Sequence, residues 1–460
     1  MTEPTTAQQA SPTPDPPGKR SSITRVVMSS MVGTMLENYD FFLYGLAAAL
    51  VFPTIFFPAQ DQLAGTMLSF GTFAIGFIAR PLGGLVFGHF GDRIGRTTLL
   101  VLSLVIMGVA TFLIGVLPSY ATIGIAAPIL LVLLRLLQGF AMGGEWGGAA
   151  LLVSEHGDTR GRGFRSSFQQ AGAPLGQLLA NGILAVLAAV QSDEAFESWG
   201  WRIPFLLSAL VVAIGIYLRL TVEESPVFRE AQTRAADRTS GERAPKLPVA
   251  QVFRRYPREI LTAMGARFVE NLSYYVFTVV ISSYMTQRFG LPSSFVLGAV
   301  LIGAAVHAVT IPLWGWLSDR IGRKPVYLIG GFGVMGWAFV FFALLNTQSF
   351  ALTVLAVVGG LVFHGAMFGP QAAFLPELFG TAVRYSGVSI GFQLASVLAG
   401  GLAPLISVSL LTAFDSGYAV AVYVAVAAVL SLLAVGTYRE TRDRDLGADD
   451  GLADASGGAE

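Results

Sequence analysis

Residues 88–96 read GHFGDRIGR, and residues 315–323, 227 positions further on, read GWLSDRIGR. Two more echoes accompany this one. LENYDFF around Glu37 returns as VENLSYY around Glu270, 233 positions later, with Glu, Asn and the aromatics in step. A looser pair sets SEHGDTRGRGF, near Glu155, against PELFGTAVRYSG, near Glu377. One such match could arise by chance. Three in the same order read as a parallel duplication, one half repeated after the other.

What is duplicated is apolar. Of 460 residues, 53% are hydrophobic and only 13% charged, with a mean hydropathy of +0.64. Soluble domains carry roughly a quarter charged residues, so lipid is the expected solvent. A bilayer core of about 30 Å takes about 20 apolar residues per helix. Stretches of that length fall at 23–52, 63–90, 98–118, 122–153, 166–191, 201–220, 259–287, 294–317, 326–346, 350–375, 385–412 and 417–437. The expected fold class is therefore an all-α membrane protein, with twelve transmembrane helices in two pseudo-symmetric six-helix bundles. The bundles are expected at 23–220 and 257–438, joined by a polar cytoplasmic linker at 221–256. Residues 1–22, with SPTPDPPG, and 439–460, acidic and Gly-rich, read as disordered tails. The first apolar stretch is too long for a cleaved signal and reads as the first span.

Other classes are excluded by what is missing. Net charge is zero and no extended basic patch exists, so nucleic acid is not an expected partner. Cysteine is absent, which removes disulfides and thiolate metal sites. No metal-ligand spacing, nucleophile–base pair or phosphate loop appears, so no metal, no cofactor and no enzyme activity is expected. Basic residues set the orientation. Arg25, Arg93, Arg96, Arg160, Arg162, Arg165, Arg320, Arg323, Lys324 and Arg384 fall on the side of the termini, against Arg202 and Arg288 on the other. Both termini are then cytoplasmic, in a bacterial inner membrane.

Seven ionisable residues lie well inside apolar spans: Glu37, Asp40, Arg80, Arg135, Glu145, Arg267 and Glu270. Facing lipid they would cost roughly 20 kcal/mol together. They must instead face one another or a water-filled cavity. Glu37 and Asp40 are three apart and project from one face of the first helix, as Arg267 and Glu270 do in the seventh. Four carboxylates against three guanidinia leave one acid without a fixed partner. Glu37 repeats as Glu270, whereas Asp40 aligns with Ser273, so Asp40 is the expected carrier of a coupling proton. Glu37 comes second and Glu145 third. His364 and His307 read as interior histidines before anything else.

The quoted loop and its second copy resemble the signature of the major facilitator superfamily, between helices two and three and between eight and nine. The resemblance implies that Gly88, Asp92, Arg93, Gly95 and Arg96, with Gly315, Asp319, Arg320, Gly322 and Arg323, help to hold an inner gate shut. Glu155 with Arg162, and Glu377 with Arg384, are the matching charges after helices four and ten. Arg135 to Gly139, RLLQG, is similar to the fourth-helix motif that the family links to proton coupling. LENYDFFLYG, GFIARPLGGLVFGHFGDRIGR, LLRLLQGFAMGGEWGGA, SWGWRIPF and EESPVF resemble the metabolite:proton symporters over nearly all of residues 24–437. That group includes shikimate, α-ketoglutarate, citrate and proline/betaine carriers. Asn38 departs from it, standing where a Trp is usual.

The resemblance implies proton-coupled uptake of a small organic acid or related metabolite by alternating access. The partners are then the solute, protons and the bilayer, and the chain acts as a monomer. Arg135 and Arg267 would hold a carboxylate in a cavity between helices one, four, seven and ten. Glu270, Asn271, Arg80, Gln138, Tyr39, Tyr44 and His364 complete the expected solute site. Two rivals stay open. A zwitterion such as proline or betaine would be caged by Tyr39, Tyr44 and Phe41. A drug:proton antiporter would carry Gly-Pro-x-x-Gly-Gly on the fifth helix, which GAPLGQ at 172–177 matches only in part.

Overall fold

The computed structural model describes residues 23–58, 62–94, 96–156, 160–220 and 253–446. The expected linker up to residue 252, the first 22 residues and those after 446 lie outside them, as do Gly95 and the side chains of Asp92, Arg93 and Arg96.

Apolar runs with few helix breakers fold into long helices, because a backbone in lipid must satisfy its own hydrogen bonds. In chain order these are α1 (Ile23–Leu50), α2 (Gln62–Ile94), α3 (Arg96–Val116), α4 (Ala126–Glu155), α5 (Arg162–Val190) and α6 (Arg202–Leu220). The second half repeats the pattern. Its first helix, α7, runs Pro257–Tyr275 and then, through a π-helical turn at Val276–Val280, Ile281–Phe289. After it come α8 (Ser293–Ile321), α9 (Arg323–Leu345) and α10 (Phe350–Leu378). Next, α11 runs Arg384–Ala395, a π-helical turn at Ser396–Gly401, then Ala403–Phe414; α12 is Gly417–Gly436. Nine of these are long and apolar enough to cross a bilayer by length and composition alone. The other three, α1, α2 and α7, carry five of the seven interior charges.

Burial is inverted relative to a soluble protein. Large apolar side chains such as Leu133, Val190, Leu210, Val309 and Leu433 point outward, while all seven interior ionisable residues are at most 9% exposed. The expectation that none of them faces lipid is met. Within the halves, α1 packs on α5, α2 on α4, α8 on α10 and α9 on α10; across the boundary, α5 meets α8 and α2 meets α11. Close approach depends on glycine at specific points. A Cβ on Gly143 of α4 would lie 2.1 Å from the carbonyl oxygen of Arg80 on α2, so this position fixes where Arg80 sits.

Two expectations need correction. The first and fourth spans are shorter than the apolar runs suggest: Phe52–Phe56 and Tyr120–Ile123 are separate short helices, the second ended by Gly124 at φ +59°. The C-terminal tail is not disordered from residue 439. Up to Leu446 it is tied to the bundles, with Thr441 and Leu446 buried, because its carbonyls and the Glu440 carboxylate meet the helix-end charges described below.

Candidate functional site

The bundles enclose a cavity of about 70 Å³ on the axis between them, lined from α1, α2, α4, α5, α7, α10 and α11. Four of the seven interior charges reach it: Glu37, Arg80, Arg267 and Glu270. Aromatic rings form much of the wall, including Phe41, Phe42, Trp146, Tyr274 and Phe392.

The C-terminal half contributes a chain of buried polar groups. Arg267 donates to Glu270 one turn on, and its Nε lies 3.5 Å from the Ser396 hydroxyl at the π-helical turn of α11. The guanidinium also sits 3.9 Å above the Phe392 ring. Glu270 Oε1 is 2.8 Å from His364 Nε2, and His364 Nδ1 is 3.0 Å from His307 Nε2. The N-terminal half holds a different set in equivalent places. His307 follows Arg80 by 227 positions, the spacing of the two loop motifs, and His364 follows Met142 by 222, the spacing of Glu155 and Glu377. Arg80 Nη2 touches Met142 Sδ at 3.4 Å just where His307 meets His364. Its guanidinium lies over Phe41 and Phe77, at 4.8 and 4.3 Å. No carboxylate lies within ion-pair distance of Arg80 among the described residues.

Toward the end carrying the loop motifs the cavity is plugged. Trp146 stacks on Phe392 across the boundary, 3.7 Å between ring centres and 14° between planes. Trp146 also donates to Gln170, which in turn donates to the Phe368 carbonyl. Gln393 donates to the Gly143 carbonyl and Tyr385 to that of Gly144. Charges close the end itself. Arg162 pairs with Glu377 at 2.9 Å and Arg384 with Glu155 at 3.0 Å, both between halves. Arg323 binds Asp319 at 2.7 Å and Glu377 at 3.4 Å. The Asp319 carboxylate also accepts from the Gly163 and Phe164 amides, at the positive N-terminus of α5. Gly322, at φ +105°, makes the turn that brings Arg323 back toward Asp319. Arg320 contributes its carbonyl, which accepts from Arg442 of the tail.

Several of the expected proton-coupling and solute residues lie outside the cavity lining. Asp40 is turned toward α3, accepting from Thr111 at 3.0 Å; three residues past Glu37 it is rotated about 60° and raised one turn. Arg135 shares the face of Met142 but lies two turns farther from the gate. There its guanidinium packs over Tyr44 at 4.1 Å, with Nη1 on Gln138. Gln138 donates to Thr111 in turn, Tyr44 hydrogen-bonds Thr72, and Tyr39 donates to the Pro204 carbonyl of α6. Glu145 is fully buried beside them. Asn271 and His364 do line the cavity. His307, Trp146, Gln170, Tyr274, Phe392 and Gln393, around the cavity and its plug, carry no charge that marks them in the sequence. His307 was findable, since the repeat places it opposite Arg80.

Comparison with known proteins agrees with this architecture. The sequence pattern of the Major Facilitator Superfamily matches residues 41–388 and 263–455. The chain is 41% identical to the inner membrane metabolite transport protein YhjE of Escherichia coli K12, over 93% of this chain and 96% of that one. It is 41% identical to the shikimate transporter of the same organism, over 90% and 94%, and 34% identical to its proline/betaine transporter, over 92% and 85%. Among solved structures, the proton:xylose symporter XylE superposes with a TM-score of 0.75 at 18% identity, covering 92% of this chain and 98% of that one.

Proposed function

The chain belongs to the Major Facilitator Superfamily and is a transporter rather than an enzyme, and from that premise we propose proton-coupled uptake of a small organic acid by alternating access. Its place is the bacterial cytoplasmic membrane, as one chain, with the loop motifs and both termini inside. The charge asymmetry of the loops supports that orientation. The contacts between halves at the motif end then make this a state closed to the cytoplasm.

The observation that carries the substrate class is Arg80. Arg267 is paired with Glu270, whereas Arg80 faces the same cavity against a thioether and two ring faces, with no ion pair among the described residues. A desolvated guanidinium not held in an ion pair is a strong site for a carboxylate, which its planar fork can hold through two hydrogen bonds. Asn38, Asn271 and the ring walls would orient the remainder of the solute. For the proton, the reading rests on Asp40. It is buried, has no ion pair among the described residues, and its Oδ1 has no hydrogen-bond partner there. Such a carboxyl is neutralised readily, and Glu37, one turn nearer the gate, lines the cavity beside it.

The rings favour a second reading, uptake of a zwitterion. Phe41, Phe42, Tyr274 and Tyr275 beside Glu37 would take an ammonium as Arg80 takes the carboxylate. Counterflow in proteoliposomes with labelled shikimate, proline and glycine betaine separates the two. Shikimate exchange, lost or weakened at least about tenfold in Arg80→Gln and only partly restored in Arg80→Lys, is expected. Exchange of betaine alone, or an Arg80→Gln variant with unchanged affinity for the acid, overturns the organic-acid reading.

A further inference from the structure

The arrangement around Arg267 defines which atoms carry hydrogen. With Glu270 ionised as the ion-pair partner of Arg267, both of its oxygens accept, and the 2.8 Å contact from His364 Nε2 is then an N–H donation. A neutral His364 then accepts at Nδ1, and His307 Nε2 must donate across the 3.0 Å contact. That leaves Nδ1 of His307 without hydrogen. The side chain is fully buried, and this atom has no hydrogen-bond partner among the described residues. A buried acceptor at the end of a directed chain of donors is an unfilled proton position.

We infer that His307, His364 and Glu270 form a proton-loaded latch on Arg267: one proton taken up at His307 neutralises Glu270 and frees Arg267 to hold the solute carboxylate together with Arg80. The step balances. A proton adds to His307 Nδ1, the Nε2 hydrogen of His307 passes to His364 Nδ1, and the Nε2 hydrogen of His364 passes to Glu270 Oε1. Both imidazoles end neutral with exchanged tautomers, and the site gains one proton. Protonated Glu270 no longer attracts the guanidinium, which sits on the ring of Phe392 at the cavity wall. Proton binding and anion binding then favour each other, because each removes the cost of the other's unpaired charge. This rests on the transport reading above and adds a second proton site in the half opposite Asp40.

Among the described residues, the titratable groups packed around the relay are these. On α7 the Tyr274 hydroxyl donates to Gln177 of α5, and Tyr275 stands at the cavity near both arginines. On α9 the Tyr327 hydroxyl donates to the Ala266 carbonyl. Among the described residues, Arg80 on α2 and Glu37 on α1, of opposite sign, also lie near the latch, and α8 and α10 contribute the two histidines.

Two measurements test the latch on the full chain. The first is nitrogen-15 spectroscopy of labelled histidine in purified protein, which has four histidines to assign. At high pH, His307 and His364 are both expected as Nε2–H tautomers. On acidification both should switch together to Nδ1–H tautomers, and Glu270→Gln should abolish that joint switch. A hydrogen on His307 Nδ1 at high pH, or a tautomer change of one ring without the other, overturns the latch whatever the solute. The second is shikimate counterflow against pH. Wild type should gain apparent affinity about tenfold or more as pH falls, Glu270→Gln should stay in the high-affinity form, and His364→Gln in the low-affinity form. A His364→Gln profile that follows wild type removes the relay. Absence of counterflow in wild type counts against the transport reading instead, and the spectra still decide the latch.

Discussion

Arg162, at the first position of α5, and Glu377, in the last turn of α10, are 215 residues apart and form a buried ion pair of 2.9 Å. The same carboxylate takes Arg323 at 3.4 Å and the Thr441 hydroxyl at 2.6 Å. One acid therefore joins both bundles and the C-terminal tail at the end that carries the loop motifs.

Removing one partner of a buried pair leaves the other charge desolvated, so the closed form loses more than a surface pair would. Arg162→Ala is expected to shift the equilibrium toward the inward-open form by about 10- to 100-fold, from the roughly 1.5–3 kcal/mol of a charged hydrogen bond. The chain has no cysteine, so Ala173→Cys on the cavity wall gives a clean probe. Its labelling from the cytoplasmic side should accelerate in Arg162→Ala. An unchanged rate would mean that the pair does not hold the gate.

The tail acts at the same place. Glu440 accepts from the Arg323 and Lys324 amides, the Arg444 carbonyl accepts from Arg162, and the Leu446 carbonyl accepts from Arg384. Ending the chain at Arg439 should speed cytoplasmic labelling of the same probe. Combined with Arg162→Ala, the effects should fall short of additive, because the two changes remove shared contacts. Full additivity, or no effect of truncation, would show the tail to be a bystander.

Asp40→Asn keeps a group able to accept from Thr111 but cannot carry a proton. Solute exchange between equal pools should persist, while accumulation driven by a proton gradient should fall to near background. Accumulation at the wild-type level would take Asp40 out of proton coupling.

Trp146 and Phe392 stack between halves directly below the cavity. Their contact is worth about 0.5–1.5 kcal/mol beyond the area it buries. Trp146→Ala should therefore raise cytoplasmic access to the cavity several-fold, less than loss of the ion pair does. Proton leak without solute should appear with it. A variant as tight as wild type would move the inner barrier wholly to the charged end.

The reach of the sequence is clearest at Glu37 and Glu270. Apolar length gave the helices, and the cost of charge in lipid required both acids, with Arg80 and Arg267, to point inward. The repeat set Glu37 opposite Glu270 before any coordinates. It did not show that Asp40 and Arg135 stand outside the cavity lining. Both are interior, yet rotation of 100° per residue carries Asp40 toward α3, and two turns of rise separate Arg135 from the cavity-lining Met142. The tail misled for another reason: its Gly-rich, acidic composition describes residues without partners, and residues 440–446 find theirs on helix ends far away in the chain.

By itself, then, the sequence determined the twelve helices, their duplication and the inward placement of the charges, because these follow from local hydropathy, spacing and the price of burying charge. Only the tertiary structure decided which charges meet. That Arg267 is occupied while Arg80 is open, that two histidines 57 residues apart share a hydrogen bond, and that Glu377 gathers Arg162 and Thr441 all depend on helix phase and crossing. Those quantities are set by packing between elements distant in the chain, and no local pattern of residues encodes them.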